Sequence, residues 1–124
     1  MAGLSEAARF LRIPAKGKPL VSAFQFLTYL DRGLPVSSID RIAGALAPAD
    51  AEFRYRIVPK ATLARLQAKR RLSKTQGELV ARLAGVWTDA LRVWKTEDDA
   101  RGFLNRKHPL LDNNRPMDLA LQSE

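Results

Sequence analysis

The sequence predicts an all-α protein, with a helix-turn-helix-like helical unit followed by a second, small helical domain. Three observations carry that expectation. Apolar residues recur at three- and four-residue steps along most of the chain. Prolines, glycines and capping residues cut those periodic runs into short pieces. No stretch has the strict alternation of a half-buried strand, and no internal repeat or low-complexity segment is present. With 124 residues, 46% of them apolar, the chain can bury a core of ordinary single-domain size.

Residues 1–19 read as a mobile basic arm. "SEAARFLRI" is a short helical candidate with Ser5 as its cap, and "PAKGKP" then breaks any regular structure. Arg9, Arg12, Lys16 and Lys18 can reach phosphates, or remain solvated without a partner. Residues 20–72 form the helix-turn-helix-like unit. In its first helix Phe24, Leu27 and Leu30 share a face, and Asp31-Arg32-Gly33 closes the element. In "PVSSIDRIAGAL", Ser37 or Ser38 caps a second helix whose Ile39, Ile42, Ala43 and Leu46 point inward, and Pro48 ends it. Asp50 can cap a short helix, and Pro59 can start another with Leu63 and Leu66 on its inner side. Three short helices joined by tight turns, the last one basic, suggest a helix-turn-helix.

Residues 73–124 make the second domain. "SKTQ" is a capping box from Ser73 to Gln76, so a long helix is expected to follow. Leu79, Leu83, Val86, Ala90 and Val93 or Trp94 lie along one side, and Val80, Trp87 and Leu91 widen the stripe beyond the needs of a lone surface helix. Thr96 caps "EDDARGFLNR", whose acidic first turn complements the helix dipole. Pro109 ends that run, Asn113 and Asn114 make a tight turn, and Pro116 opens a last helix through Leu121.

Charge and composition narrow the function. Twenty-one Lys and Arg against 13 Asp and Glu leave a formal charge of +8, which favours polyanions through counterion release. The absence of cysteine excludes disulfides, thiolate metal sites and thiol nucleophiles, and fits a reducing, cytoplasmic setting. The longest apolar-leaning run, Leu20 to Leu30, is too short and too polar to span a bilayer, so no membrane association is expected. Enzymatic chemistry has little to rest on: there is no glycine-rich phosphate loop, no paired-histidine metal motif and a single histidine, His108. Neither a catalytic residue nor a cofactor is expected.

Between Glu52 and Glu78 the sequence holds no carboxylate, while Arg54, Arg56, Lys60, Arg65, Lys69, Arg70 and Arg71 crowd the same stretch. If Lys60 to Lys69 is a recognition helix, then Lys60, Thr62, Arg65 and Lys69 lie near its exposed side, the arginine suited to guanine edges and the lysines to phosphates. The alternative is a solvated helix that packs only through its leucines. Trp87 and Trp94 fall on nearly the same helix face and serve either the core or a dimer seam. His108 fits a hydrogen-bonded structural role or a ligand contact.

The C-terminal stretch "LSKTQGELVARLAGVWTDALRVWKTEDDARGFLNRKHPLLDNNRPMDLAL" resembles the toxin-binding domain of Xre/MbcA/ParS-type antitoxins, and "RIVPKATLARLQAKRRLS" looks like the connection leading into it. With the preceding helices the resemblance spans roughly residues 20 to 121. It implies an antitoxin that pairs with a RES-domain toxin, an enzyme that consumes NAD or uses it to ADP-ribosylate a target. It further implies a homodimer within the toxin-antitoxin complex, an N-terminal half that represses its own operon by binding operator DNA, and inhibition by steric cover of the toxin's NAD-binding site. The toxin-binding residues implied are Asn105, Arg106, His108, Leu111, Asn113, Asn114, Arg115 and Met117, with Leu111 and Met117 as apolar anchors. Relatives usually continue into a further helix beyond the position of Glu124, which implies here either a C-terminally truncated domain or inhibition through a smaller surface. A different class, a stand-alone helix-turn-helix transcriptional regulator, would use the basic helix alone, and an adaptor dimer would leave it unused.

Overall fold

The structure, a computed structural model, describes residue 7, residues 9–11 and residues 23–122, with side chains from residue 26 onward in the last stretch. Among these residues the protein is all-helical, with seven α-helices, one short 3-10 turn and no strand. Helix α1 spans Ala23–Arg32, α2 Ser37–Leu46, α3 Arg54–Ile57, α4 Lys60–Lys69, α5 Lys74–Trp94, α6 Glu97–Leu104 and α7 Pro116–Leu121, with the 3-10 turn at Pro109–Leu111.

Helix α5 is the element on which the others are assembled. Its capping box forms as expected: the Gln76 backbone N–H donates to Ser73 Oγ at 3.1 Å, and the Ser73 N–H donates to Gln76 Oε1 at 2.9 Å. Gly77, Val80, Leu83, Ala84, Trp87, Thr88 and Ala90 are all buried along it, which accounts for the width of the apolar stripe. The stripe is wide because α1, α2 and α3 pack on it from one half of the chain and α6 and α7 from the other. A single cluster of buried apolar side chains therefore runs through both halves, from Leu30 and Ile42 to Leu104 and Met117. The division expected between residues 72 and 73 falls at the start of this shared helix.

The first helix turns inward differently from the expected face. Phe26 and Leu30 are buried and Leu27 is 51% exposed, while the side chain of Phe24 lies outside the described residues. Positions four apart nearly superpose on a helix, so Phe26 and Leu30 align where Leu27 cannot join them. Leu30 and Leu34 lie over Gly77, whose missing side chain lets α1 approach α5 closely: a Cβ there would sit 3.3 Å from Leu30 Cδ2. Gly33 ends α1 at φ +95°, as the glycine stop predicts.

Neither Ser37 nor Ser38 caps α2. The helix begins from a tight turn in which Ser38 and Ile39 donate to Pro35 and Val36 carbonyls, and Ser38 is buried. The backbone donors are already satisfied there, so the hydroxyls are not needed. Asp50 accepts from the Glu52 N–H at 2.9 Å and closes the connecting turn, and α3 starts without a side-chain cap. Thr96 caps α6, and Pro116 opens α7 at its first turn, both as expected.

Of the 1–19 arm, Ser5, Arg12, Lys16 and Lys18 lie outside the described residues. Ala7 and Leu11 do not: both belong to the buried cluster, with Phe10 packed against it and only Arg9 exposed. That part of the segment is anchored by apolar burial rather than solvated.

Candidate functional site

Two surfaces carry side chains that the core does not use. The first is α4. Only Leu63 and Leu66 of this helix are buried, so it lies on the body by one narrow edge and turns the rest outward. Lys60, Arg65 and Lys69 are exposed and Thr62 is half-buried, so the face expected to read nucleic acid is open. The side chains of Arg65, Lys69 and Arg70 make no hydrogen bond or ion pair with another described residue. Lys60 sits 5.7 Å from the centre of the Tyr55 ring. Nearby, Arg54 is engaged: it donates to Tyr55 Oη at 3.3 Å and to Asp40 at 3.2 Å, and these bonds, Tyr55 first, raise its pKa above the ordinary arginine value.

The orientation of α4 is set by its exit. Arg70 adopts a left-handed conformation that ends the helix, and residues 70–72 then run antiparallel to 34–36. The Leu72 N–H donates to Leu34 O at 2.8 Å, the Val36 N–H donates to Arg70 O at 3.2 Å, and Arg71 Nη1 donates to Gly33 O at 3.0 Å. This clasp ties the basic helix to the α1–α2 turn.

The second surface lies where α5, α6, the 3-10 turn and α7 meet. An apolar groove of about 580 Å³ opens there, lined by Val86, Ala90, Val93, Trp94, Phe103, Leu104, Leu111, Pro116, Leu119 and Ala120, with Asp89 at its edge. Val93 is 69% and Trp94 40% exposed. Trp94 contacts Phe103 at 5.4 Å between ring centres, and Phe103 contacts the His108 ring at 4.9 Å. The two tryptophans thus separate: Trp87 is fully in the core, and Trp94 forms a groove wall.

Residues 105–115 form a tightly bonded loop beside the groove. The His108 N–H donates to Asn114 O at 3.2 Å, and His108 O accepts from both Leu111 and Asn113. Asp112 and Asn113 take left-handed φ values of 55° and 61°, the geometry that short polar side chains tolerate. Asn114 Nδ2 donates to Leu111 O at 2.9 Å, Asn105 Nδ2 to Arg101 O at 2.9 Å, and Arg115 Nε to Asn105 O at 3.0 Å. His108 Nε2 faces Phe103 O at 3.2 Å, and since that carbonyl can only accept, this nitrogen carries the proton. Histidine therefore has a structural partner here.

Of the C-terminal candidates, Asn114 and Arg115 direct polar atoms into the loop itself, and Asn105 and His108 direct theirs to carbonyls of α6. Arg106 and Asn113 are exposed, and Leu111 is half-buried against the groove. Met117 departs most from expectation. It is 1% exposed, a core side chain that cannot act as a surface anchor, because α7 turns its second residue onto α5 and α6. Leu110, 98% exposed, and the groove wall Leu119 were absent from the sequence reading, which placed the walls Val93 and Trp94 in the α5 stripe, with Trp94 in the core or a dimer seam. The overwide stripe on α5 was the one sequence signal pointing to them.

Two charged contacts bind the two halves: Arg101 Nε donates to Ala45 O at 2.6 Å at the end of α2, and Arg56 pairs with Asp118 at 2.8 Å. Within the C-terminal half, Arg82 of α5 donates to Ala120 and Gln122 carbonyls at 3.0 and 3.2 Å. Among the described residues no group of three His, Asp or Glu side chains is placed to hold a metal ion. No helix among them is long and apolar enough to cross a membrane.

A bundle of short helices with an exposed basic helix following two tight turns defines a helix-turn-helix protein. Residues 25–85 match the family model described as the antitoxin Xre-like helix-turn-helix domain. The matched stretch covers most of α1, all of α2 to α4, and α5 as far as Gly85. That stretch is therefore similar to an antitoxin-type helix-turn-helix domain. No curated protein matches the chain.

Proposed function

We propose that the protein is the antitoxin of a type II toxin-antitoxin pair that binds a RES-domain toxin through its C-terminal half and sterically blocks the toxin's NAD-binding site. In the same reading, α4 binds operator DNA and represses the operon, with Lys60, Thr62, Arg65 and Lys69 as the contact set. The observation that supports it best is the coexistence of an antitoxin-type helix-turn-helix match with a separate apolar groove and rigid loop outside the matched residues. A regulator acting on DNA alone has no use for such a surface, since an exposed apolar patch of this kind ordinarily marks a protein interface. The exposed part of that surface includes Arg106, Asn113 and Arg115, with Leu111 half-buried at the groove and Asn105, His108 and Asn114 holding its shape.

No reaction by the antitoxin is required. A folded loop seated over a nucleotide cleft excludes the substrate by volume, and cations such as Arg106 and Arg115 pair with carboxylates at its rim. The test is co-expression with the neighbouring reading frame. Cells producing that neighbour alone should stop growing and lose NAD or accumulate ADP-ribosylated protein, and co-expression of this chain should restore both growth and NAD chemistry. Growth arrest without a change in NAD chemistry would overturn the RES assignment. No arrest, together with repression of a reporter by this chain alone, would establish the stand-alone regulator instead.

A further inference from the structure

Leu110 is the most exposed large apolar side chain in the described structure, at 98%, and it sits in one of the most tightly bonded loops. A leucine on a floppy segment can fold back onto the surface, whereas this one is held away from its own groove by the bonds that close residues 108–114. Its neighbour Leu111 turns the other way and lines the groove. The pair divides one apolar dipeptide between the protein's own surface and the outside.

The charges around the loop describe what can receive it. Arg106 and Lys107 are exposed, Arg115 is exposed and paired with Asp118 at 3.7 Å, and Asp112 is the sole carboxylate between residues 105 and 115. An apolar knob on a loop with a surplus of cations fits an apolar hollow with a surplus of anions. We infer that Leu110 is the penetrating anchor of the C-terminal surface, inserting into an apolar pocket rimmed by carboxylates on the partner protein. This inference rests on the toxin-binding reading above and adds to it a residue, a direction of insertion and the chemistry of the partner's receiving site. The loop's bonds are already formed before association, so little ordering entropy opposes insertion, and a single leucine can dominate the affinity.

The chain contains no cysteine, so Leu110→Cys labelled with an environment-sensitive fluorophore reports on this position alone. The probe partner is the purified product of the neighbouring reading frame. Binding should shift the emission to the blue, as transfer into an apolar pocket requires. Leu110→Asp should weaken binding by about thirtyfold or more, the size of a central anchor, while Leu27→Asp, on an exposed leucine of α1 far along the chain, should not. Arg106→Glu with Lys107→Glu should slow association and reduce its dependence on salt. Since Leu110 contributes nothing to the core, melting temperatures of all variants at this position should match the parent. Wild-type binding that survives Leu110→Asp, or a label whose emission stays that of an aqueous dye in the complex, overturns the inference and leaves the antitoxin reading standing. No binding by the wild type overturns that reading and this inference with it.

Discussion

Helix α4 and the loop after α6 are both polar surface features, yet they present themselves to partners in opposite ways. The helix rests on two leucines and leaves Arg65 and Lys69 uncommitted, so its charges are available and its position depends on what holds its ends. The loop turns many of its polar atoms inward, through Asn105, His108, Asn114 and Arg115, and offers a fixed shape with apolar material at its edge. Long-range charge suits a polyanion that is met at many registers, and a rigid shape suits one partner met in one pose. A helix-turn-helix match that ends within α5 is consistent with that division, because α5 is the last element the two surfaces share.

The comparison breaks most severely where both surfaces share support. Trp87→Ala removes a 2%-exposed ring beneath both, and should cost about 3–5 kcal/mol, abolishing DNA binding and partner binding together in thermal melts and binding assays. Trp94→Ala, at a 40%-exposed groove wall, should cost less than half of that and spare DNA binding. A Trp87→Ala protein that kept a normal melting temperature would mean that α5 is not the common scaffold.

Met117→Ala should come next, at roughly 3 kcal/mol, since the side chain is fully enclosed. Its effect on partner binding should follow the fraction of folded protein and vanish at low temperature. A loss of affinity with unchanged stability would return Met117 to the interface.

Gly33→Ala sharpens the other side. Alanine at φ +95° is strained, and its Cβ would lie 2.8 Å from Leu72 O, inside the clasp that orients α4. Roughly 2 kcal/mol of destabilisation is expected, with DNA affinity reduced beyond what unfolding explains and partner binding unaffected in the folded fraction.

The smallest effect on stability belongs to Arg65→Ala, within about 0.5 kcal/mol, because the side chain is exposed and makes no hydrogen bond or ion pair with a described residue. It should nonetheless weaken DNA binding and, if Arg65 meets a phosphate, lower the slope of log affinity against log salt by about 1. An unchanged slope and affinity would leave α4 as a solvated helix.

Much of this architecture was legible from local chemistry. The Ser73–Gln76 box, the Thr96 cap, the Gly33 stop and the Pro116 start each depend on residues within one helical turn, so their neighbours in sequence suffice to specify them. The inward positions of α2 and α4 were likewise carried by periodicity alone. What failed were choices between equivalent local options: which leucine of α1 faces the core, whether a serine is needed to cap α2, and whether a methionine in α7 faces in or out.

Those choices belong to the tertiary structure, and the reason is geometric. An amphipathic stripe says that a helix must be covered, and only the packing of other helices says how much of it is. The sequence by itself determined an all-helical protein with a basic helix and an overwide apolar helix. The assembled fold decided that Trp87 is core and Trp94 groove, that Met117 is enclosed, and that Leu110 stands out in solvent on a loop whose own hydrogen bonds hold it there. Burial depends on contacts between residues distant in sequence, and local pattern carries no record of them.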